Sequence, residues 1–278
     1  MVTPQTQQPR LVDAAALSRH RARARLRDAG FLHETALDEI NERLRDVNRT
    51  FTSPAIVTAH PGIWGGVASG ATCVAPGDVL DLEPGAHDLV VHAMALHWAD
   101  DPVGQIVQCR RALKADGLFL GACFGGETLA ELRAALAEAE IAETGGLSPR
   151  VAPMAEVRQL GSLLQRAGLS LPVADVLDQV ASYADIFALM RDLRAMGETN
   201  ALAGRHRAPT RRSLFDRADA IYRANFPEGE GRIRATFQLV FLTGWAPHES
   251  QQKPLRPGSA EARLADALNA THVHDETE

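Results

Sequence analysis

The segment HDLVVHAMALHWADDPVGQIVQCRRALKADGLFLGACF, His87–Phe124, decides the fold. It opens on a nearly continuous apolar run, Leu89–Ala93, which suits a strand buried on both faces. PVGQIVQCRRALKADG, Pro102–Gly117, reads as a helix closed by Gly117, and LFLGACF, Leu118–Phe124, as the next strand. Strand, helix and strand in this order imply parallel pairing in an α/β sheet.

Toward the N-terminus, ATCVAPG (Ala71–Gly77) and AIVTAH (Ala55–His60) are two more short strand candidates, the second running into the turn residues Pro61 and Gly62. Residues 11–28 and 34–47 read as helices. In the second, Leu37, Ile40, Leu44 and Val47 recur at helical spacing, so one face is apolar. Residues 1–10 are polar and read as loose. The basic run Arg19–Arg27 is read as a solvated helix face, with docking of an acidic partner as the less ordinary alternative.

Toward the C-terminus, ETLAELRAALAEAEIAE (Glu127–Glu143) reads as a helix, with Glu127 and Thr128 in its first turn and Gly145-Gly146 at its end. MAEVRQLGSLLQRAG (Met154–Gly168) is amphipathic, with Gly168 just past the helix. PVADVLDQVAS (Pro172–Ser182) suits an edge strand. DIFALMRDLRAMGE and RRSLFDRADAIYRANF read as helices, and RIRATFQLVFLTGWA, rich in β-formers, as the last strand. HRAPTRRS (His206–Ser213) reads as an exposed loop.

Composition removes several classes of function. The chain has 278 residues, is 45% hydrophobic and carries a formal net charge of -6. It can bury a sizeable core but offers no broad basic field for a nucleic-acid backbone. No apolar run reaches the roughly 20 residues that a membrane-spanning helix needs. The N-terminus lacks the apolar middle segment of a secretory signal, and Asp13 and Asp28 weigh against an organellar presequence. Cys73, Cys109 and Cys123 have no metal-ligand spacing and read as reduced, buried thiols, which fits the cytoplasm. HVHDE near the C-terminus is a polar tail rather than a metal site.

His87–Glu140 resembles the class I S-adenosylmethionine-dependent methyltransferase superfamily. The likeness is to the branch that holds the biotin-synthesis carrier-protein methyltransferase and the methyltransferase-like assembly factor of respiratory complex I. It continues through GGLSPRVAPMAEVRQLGSLLQRAG (145–168), LMRDLRAMGETNAL (189–202) and GWAPHESQQKPLRPGSA (244–260), and so spans about residues 71–262. The resemblance implies a Rossmann-like sheet with a helical cap, at about 184–228, inserted before the last strand. It divides the chain into an N-terminal helical segment (1–50), a methyltransferase-like domain (51–262) and a flexible tail (263–278).

In this family the cofactor lies across the carboxyl ends of the strands. By the resemblance, the cofactor-side residues are Gly62 in the first-strand loop, Asp78 with Val79 in the third-strand loop, and His92 and Ala93 at the end of the fourth strand. His92 and His97 are the candidates for a catalytic base by location, against the plain alternative of core histidines. Trp98 reads as a core anchor. Gly125-Gly126 before a helix reads as a strand-to-helix turn, with an anion site as the alternative. Glu198, Asn200, His248, Glu249, Gln251 and Lys253 form polar clusters that line a pocket, meet a protein partner or sit in solvated loops.

The first-strand loop departs from the family. AHPGIWGG has lost the acidic, Gly-rich pattern, and Trp64 adds bulk. Only Val67–Gly70 lie between Gly66 and Ala71, where the family fits a helix, a strand and a helix. The expected sheet therefore has a shortened N-terminal half and no acid for the cofactor's ribose. Two charge-assisted hydrogen bonds lost there cost about 3 kcal/mol or more, roughly a hundredfold in affinity. Two functions remain open at this point. One is a methyltransferase with weakened S-adenosylmethionine binding that acts on a protein or acyl-carrier substrate. The other is a non-catalytic, or hydroxylase-like, assembly factor for a respiratory complex.

Overall fold

The computed structural model describes residues 10–251. Three helices come first: α1 (Ala14–Ala22), α2 (Leu26–Ala29) and α3 (Phe31–Val47). Then follow β1 (Pro54–Thr58), the single turn α4 (Pro61–Trp64), β2 (Thr72–Val74), β3 (His87–Ala93), α5 (Pro102–Ala112) and β4 (Leu113–Phe124). The second half holds α6 (Ala130–Thr144), α7 (Val157–Arg166), β5 (Ser170–Tyr183), α8 (Ile186–Met196), α9 (Arg212–Asn225), β6 (Pro227–Glu228) and β7 (Arg232–Trp245). Residues through Pro247 form one compact unit, and a second unit begins at His248. The expected C-terminal tail from residue 263, Lys253, HVHDE and residues 1–9 lie outside the described residues.

Seven strands make one sheet in the order β2-β1-β3-β4-β7-β5, with β6 paired to β7 as a short hairpin. β2, β1, β3 and β4 run parallel, while β7 is antiparallel to both β4 and β5. All five residues of β1 are buried, as are six of the seven in β3. That is why these strands read as continuous apolar runs. Alternate residues feed two cores. Ile56, Leu89, Val91 and Leu120 face α3, α6, α8 and α9, through Ile40, Leu136, Leu189 and Tyr222. Val57, Val90 and Phe119 face α5 and α7, through Ile106, Leu160 and Leu164. The result is a three-layer α/β/α arrangement with β5 at an edge, as PVADVLDQVAS suggests.

The shortened half is real. β2 pairs directly with β1, Ala55 opposite Thr72 and Val57 opposite Val74, with no strand between them. Residues 59–71 make the whole crossover, using α4 and two tight turns (Val67 N–H to Trp64 C=O, Ala71 N–H to Ala68 C=O). This is close to the minimum length for a parallel connection. β2 ends the row, and Cys73 on it is exposed; only Cys109 and Cys123 are buried as expected.

Other boundaries differ for local reasons. The helix expected over 11–28 breaks after Ala22, where the Arg25 N–H is drawn to the Ala195 C=O of α8 at 2.6 Å. α5 stops at Ala112 rather than at Gly117, because Leu113 already pairs with His87. Gly117 instead permits a close approach: a side chain there would meet the Lys114 carbonyl at 2.9 Å. α6 begins at Ala130 behind a left-handed Leu129 (φ 56°), and Gly145 (φ 70°) ends it. Thr128 does not cap this helix. Its hydroxyl accepts from Gln238 N–H at 3.0 Å and donates to Gln238 C=O at 3.2 Å, pinning the turn to β7.

The cap, α8 and α9, lies between β5 and β7 in the chain, as expected. The N-terminal segment is strapped to it. Asp13 N–H donates to Ala201 C=O and Ala203 N–H to Leu11 C=O, while Asp13 pairs with Arg205 at 2.9 Å. The backbone N–H groups of Leu11 and Val12 both donate to Asp100, after β3, at 2.8 and 3.0 Å.

Gly125 packs against β7, where an added Cβ would lie 2.4 Å from Val240 Cγ2; Gly62 has no atom within 4 Å of that position. Gly125→Ala is therefore expected to destabilise the protein by about 1–3 kcal/mol and Gly62→Ala by roughly nothing. Parallel urea unfolding curves of the two variants check the contrast.

Candidate functional site at the carboxyl ends of the parallel strands

Two cavities flank the carboxyl ends of β1 and β3. The first is a cleft of about 430 Å³ among the segments that follow β1, β2 and β3, closed from above by α1. Its lining includes Leu17, Arg21, Ala59, Gly77, Asp78 and Trp98. The volume is that of a small-molecule site. The second, about 240 Å³ and mostly apolar, lies beneath the cap and includes Phe124, Leu132, Met154, Met190, Phe215 and Phe237. Trp98 lines both, and Glu198 lines the second. Trp98 thus forms the wall between the cavities, with Glu198 bonded to it on the side of the second.

That wall is tightly bonded. Glu198, just past α8, has a side chain only 7% exposed. Its Oε2 accepts from Trp98 Nε1 at 2.5 Å and meets His97 Nε2 at 3.2 Å. Burial pushes its carboxyl up, but His97, Arg21 and the Trp98 N–H outweigh this and hold it at about 2. Trp98 anchors a small apolar cluster with Val12, Ala16, Leu17, Ala152 and Leu202. It therefore serves as the expected core anchor and as part of the wall.

Next to the wall, Trp64 Nε1 donates to His33 Nδ1 at 3.1 Å, and the His33 and His60 rings meet edge-on at 5.1 Å. Desolvation lowers His33 to about 4, with His60 adding to the effect, so His33 is neutral at pH 7. Trp64 is fully buried in the sequence-singled loop and is held by this bond. Arg21 projects from α1 into the same region. Burial lowers its affinity for a proton, Glu198 raises it, and its Nε and Nη2 are buried without a hydrogen-bond partner.

The structure separates the residues picked from the sequence. His92 is fully buried in the sheet, where its Nε2 bonds Gln105 Oε1 at 2.8 Å; Gln105 Nε2 in turn donates to Gly77 C=O at 2.9 Å. Since the Gln105 oxygen accepts, His92 is protonated on Nε2 and neutral, and desolvation takes it to about 4. His92 thus fixes the loop after β2 from below. Ala93, also buried, lines neither cavity. His97 lies at the wall, its side chain 1% exposed, packed on Phe124 at 4.8 Å between ring centres. Asp78 lines the cleft and pairs with Arg10 at 3.4 Å, while Val79 beside it is 81% exposed. Gly62 sits apart, in a surface hollow with Leu26, Glu34 and His60.

Asn200 lines the pocket beneath the cap but spends both side-chain ends on the chain, donating to Pro149 C=O and accepting from Leu202 N–H. Gly125-Gly126 forms the ordinary turn, tied to β7 through Gly125 N–H and Gln238 C=O. His248 bonds its own neighbour Ser250 at 2.7 Å, and Glu249 is exposed. Among the described residues no cluster of three His, Cys, Asp or Glu could hold a metal ion. Nor is any described helix long and apolar enough to cross a membrane.

No family model matches the chain. Curated relatives do. Arginine-hydroxylase NDUFAF5, mitochondrial, of Danio rerio is 39% identical over 197 residues, 70% of this chain and 61% of that protein. The Homo sapiens protein of that name is 40% identical over 66% of this chain and 53% of its own length. Malonyl-[acyl-carrier protein] O-methyltransferase of Laribacter hongkongensis is 35% identical, covering 64% and 58%. These NDUFAF5 proteins and malonyl-[acyl-carrier protein] O-methyltransferases are homologues of the chain. It spans 42% to 61% of the length of the relatives named NDUFAF5 that it matches.

Three participants were missed from the sequence: Arg21, Asp100 and the His33–Trp64 pair. Arg21 was hidden in a run with arginine at every second position. The signal was there in Ala14, Leu17, Arg21 and Ala22, which fall on one helical face and line the cleft together.

The two neutral histidines set a pH dependence. Both folded values lie below the ordinary 6.5, so the unfolded chain binds more protons between pH 6.5 and 4. Stability is therefore full above about 6.5 and falls as pH drops toward 4, by roughly 2 kcal/mol per histidine at pH 5. Thermal melts should show Tm several degrees lower at pH 5 than at pH 7.5; a flat profile would contradict the assignment of neutral His33 and His92.

Proposed function

We propose that the chain is a methyltransferase-like protein that takes a protein or acyl-carrier substrate beneath its cap and holds S-adenosylmethionine weakly in the cleft below α1. The observation that carries this reading is the direct pairing of β2 with β1. The last residue of β2 is Val74, and Ala75, Pro76 and Gly77 follow. No carboxylate stands at that strand end to take the ribose hydroxyls. The cleft fits the rest of the cofactor: Asp78 for the adenine side, the Gly77 loop for close backbone approach, and the unpartnered Arg21 for an anionic end.

When bound, the cofactor supplies an activated methyl group on a sulfonium. The chain's own residues exclude water through α1 and the cap. They hold the acceptor in the pocket beneath the cap, and they place His97 at the wall as the candidate base. His92 is the second candidate and would act only by setting the loop after β2. In this reading α1 roofs the cleft, and the segments after β1, β2 and β3 carry the site. A net charge of -6 favours a protein partner over a nucleic acid. The reduced cysteines favour the cytoplasm; the word "mitochondrial" belongs to the names of the eukaryotic relatives.

A second reading is favoured by the wall. Trp98, braced by Glu198, stands between the two cavities, which suits a protein that binds its partner without methyl transfer, as an assembly factor for a respiratory complex. The higher identity to relatives named arginine-hydroxylase than to the O-methyltransferase favours the hydroxylase-like form of this reading over methyl transfer.

Calorimetric titration with S-adenosylmethionine tests both. The expected Kd is weaker than about 100 µM, with Asp78→Ala weakening it several-fold more. Low-micromolar affinity would overturn the weak-binding reading, and no heat at millimolar ligand would leave the non-catalytic one.

A further inference from the structure

We propose that β5 is the interface of a two-fold dimer, in which a second copy of this chain lays its own β5 antiparallel to the first and the two sheets become one.

β5 (Ser170–Tyr183) ends the sheet and is paired on one side only, to β7. Among the described residues nothing else bonds to the backbone of Val173–Gln179, so alternate N–H and C=O groups face outward along this edge. An edge of this kind accepts another strand unless a lysine, a proline or a bulge blunts it. Here Pro172 and the register shift stand at the start of the strand, and Val173–Tyr183 carries no basic side chain. The two faces of β5 differ. Leu177 and Ala181 pack into the core beneath α8 and α9. Ala174 lies on the other face, under α7, and alternation puts Val176, Asp178 and Val180 there too. α7 covers only the first part of that face, so Val176 and Val180 are 43% and 52% exposed.

Charge selects a second copy as the occupant and sets the register. A two-fold axis normal to the sheet brings residues of one face opposite each other. Centred on Val176, it sets Val176 against its own mate and Asp178 against Ala174 of the second copy. Centred on Asp178, it sets two carboxylates face to face, which is unfavourable. Centred on Leu177, it sets Val176 against Asp178. The first register alone joins valine to valine and keeps the acids apart. α7 completes it. Gly161 lies over Ala174, where an added Cβ would stand 3.2 Å from the Ala174 Cβ. At about 100° per residue, the buried Leu160 and Leu164 fall on one side of Gly161, and the exposed Arg158, Ser162 and Gln165 on the other. That second side looks out over the open edge, so Asp178 of the second copy arrives beneath Arg158. One oxygen of Asp178 accepts from Gln238 Nε2 at 3.0 Å, and the other has no partner among the described residues. The symmetry makes this contact twice. An unrelated strand could bond to the edge, but the acid at the offset that meets Arg158 is a property of this chain set against itself.

The test is sedimentation velocity of the full chain at tens of micromolar. The wild type should sediment as a dimer; a monomer throughout overturns the proposal. Val176→Lys should be monomeric with an unchanged far-UV circular dichroism spectrum, and a folded variant that still dimerises places the interface elsewhere and overturns it. Arg158→Glu and Asp178→Arg should each weaken self-association about tenfold, since each spoils two contacts, and mixing the two variants should restore dimers. Failure to restore them overturns the charge pairing that selects a second copy. Disulfide trapping keeps the proposal testable should Val176→Lys fail to fold. In a Cys73→Ser background, which removes the exposed thiol, Val176→Cys should cross-link on oxidation because opposed residues lie about 5 Å apart at Cα. Val180→Cys, opposite Pro172, should not. No cross-link at 176, or cross-linking at 180 instead, overturns the proposal.

Discussion

Everything at the working end of this molecule hangs on the buried carboxylate of Glu198. It gathers His97 and Trp98 from the loop after β3, Arg21 from the N-terminal helix and its own segment at the end of α8. Each of these partners is about a hundred residues or more from Glu198 in sequence. A buried charge survives only with such a set of partners, and removing any one leaves the others uncompensated. The same residue thus fixes the wall between the cavities, the seat of the cap and the position of α1.

Around that point the sheet supplies rigidity. The parallel strands are buried on both faces, and each is packed by helices whose apolar stripes meet alternate residues. The strand ends are therefore well fixed, and the segments after them carry the chemistry. The loss of one strand on the β2 side leaves this scaffold intact because the vacated position lay toward the sheet edge. β2 moves inward to pair with β1, and the crossover shrinks to a single helical turn with Trp64 buried beneath it. The fold tolerates the deletion; the ligand's sugar is what loses its partner.

The fold was legible where burial imposes a pattern. The strands β1, β3, β4 and β7, the helices α5 to α9 and the cap all announced themselves through apolar runs or helical spacing, and the missing strand through a count of residues. The helix ends were less legible. Ala112, Leu129 and Ala22 are boundaries set by tertiary pairing, to His87, to β7 and to Ala195, which no local signal encodes. The site was read only in part. Asp78, His97 and Glu198 were picked out by place or by polarity; Asp78 lines the cleft and Glu198 the pocket beneath the cap, while His97 lines neither and is bonded to Glu198. Arg21 and Asp100 were not, because an arginine in a basic run and an aspartate in a loop look like solvated residues until a distant segment covers them. Gly62 shows the reverse: its neighbourhood in sequence suggested a cofactor loop, while the one-turn helix carries it into a separate hollow.

The strap formed by Leu11–Asp13 has a consequence for biosynthesis. Its docking partners, Ala201, Ala203 and Arg205, emerge from the ribosome last among the contacts it makes. At roughly 5–20 residues per second, the arginine-rich start of the chain waits about ten seconds or longer before its seat exists. For that interval the nascent polypeptide trails an unfolded cationic segment, open to chaperones and proteases, and the roof of the cleft cannot be set in place until that seat has been made.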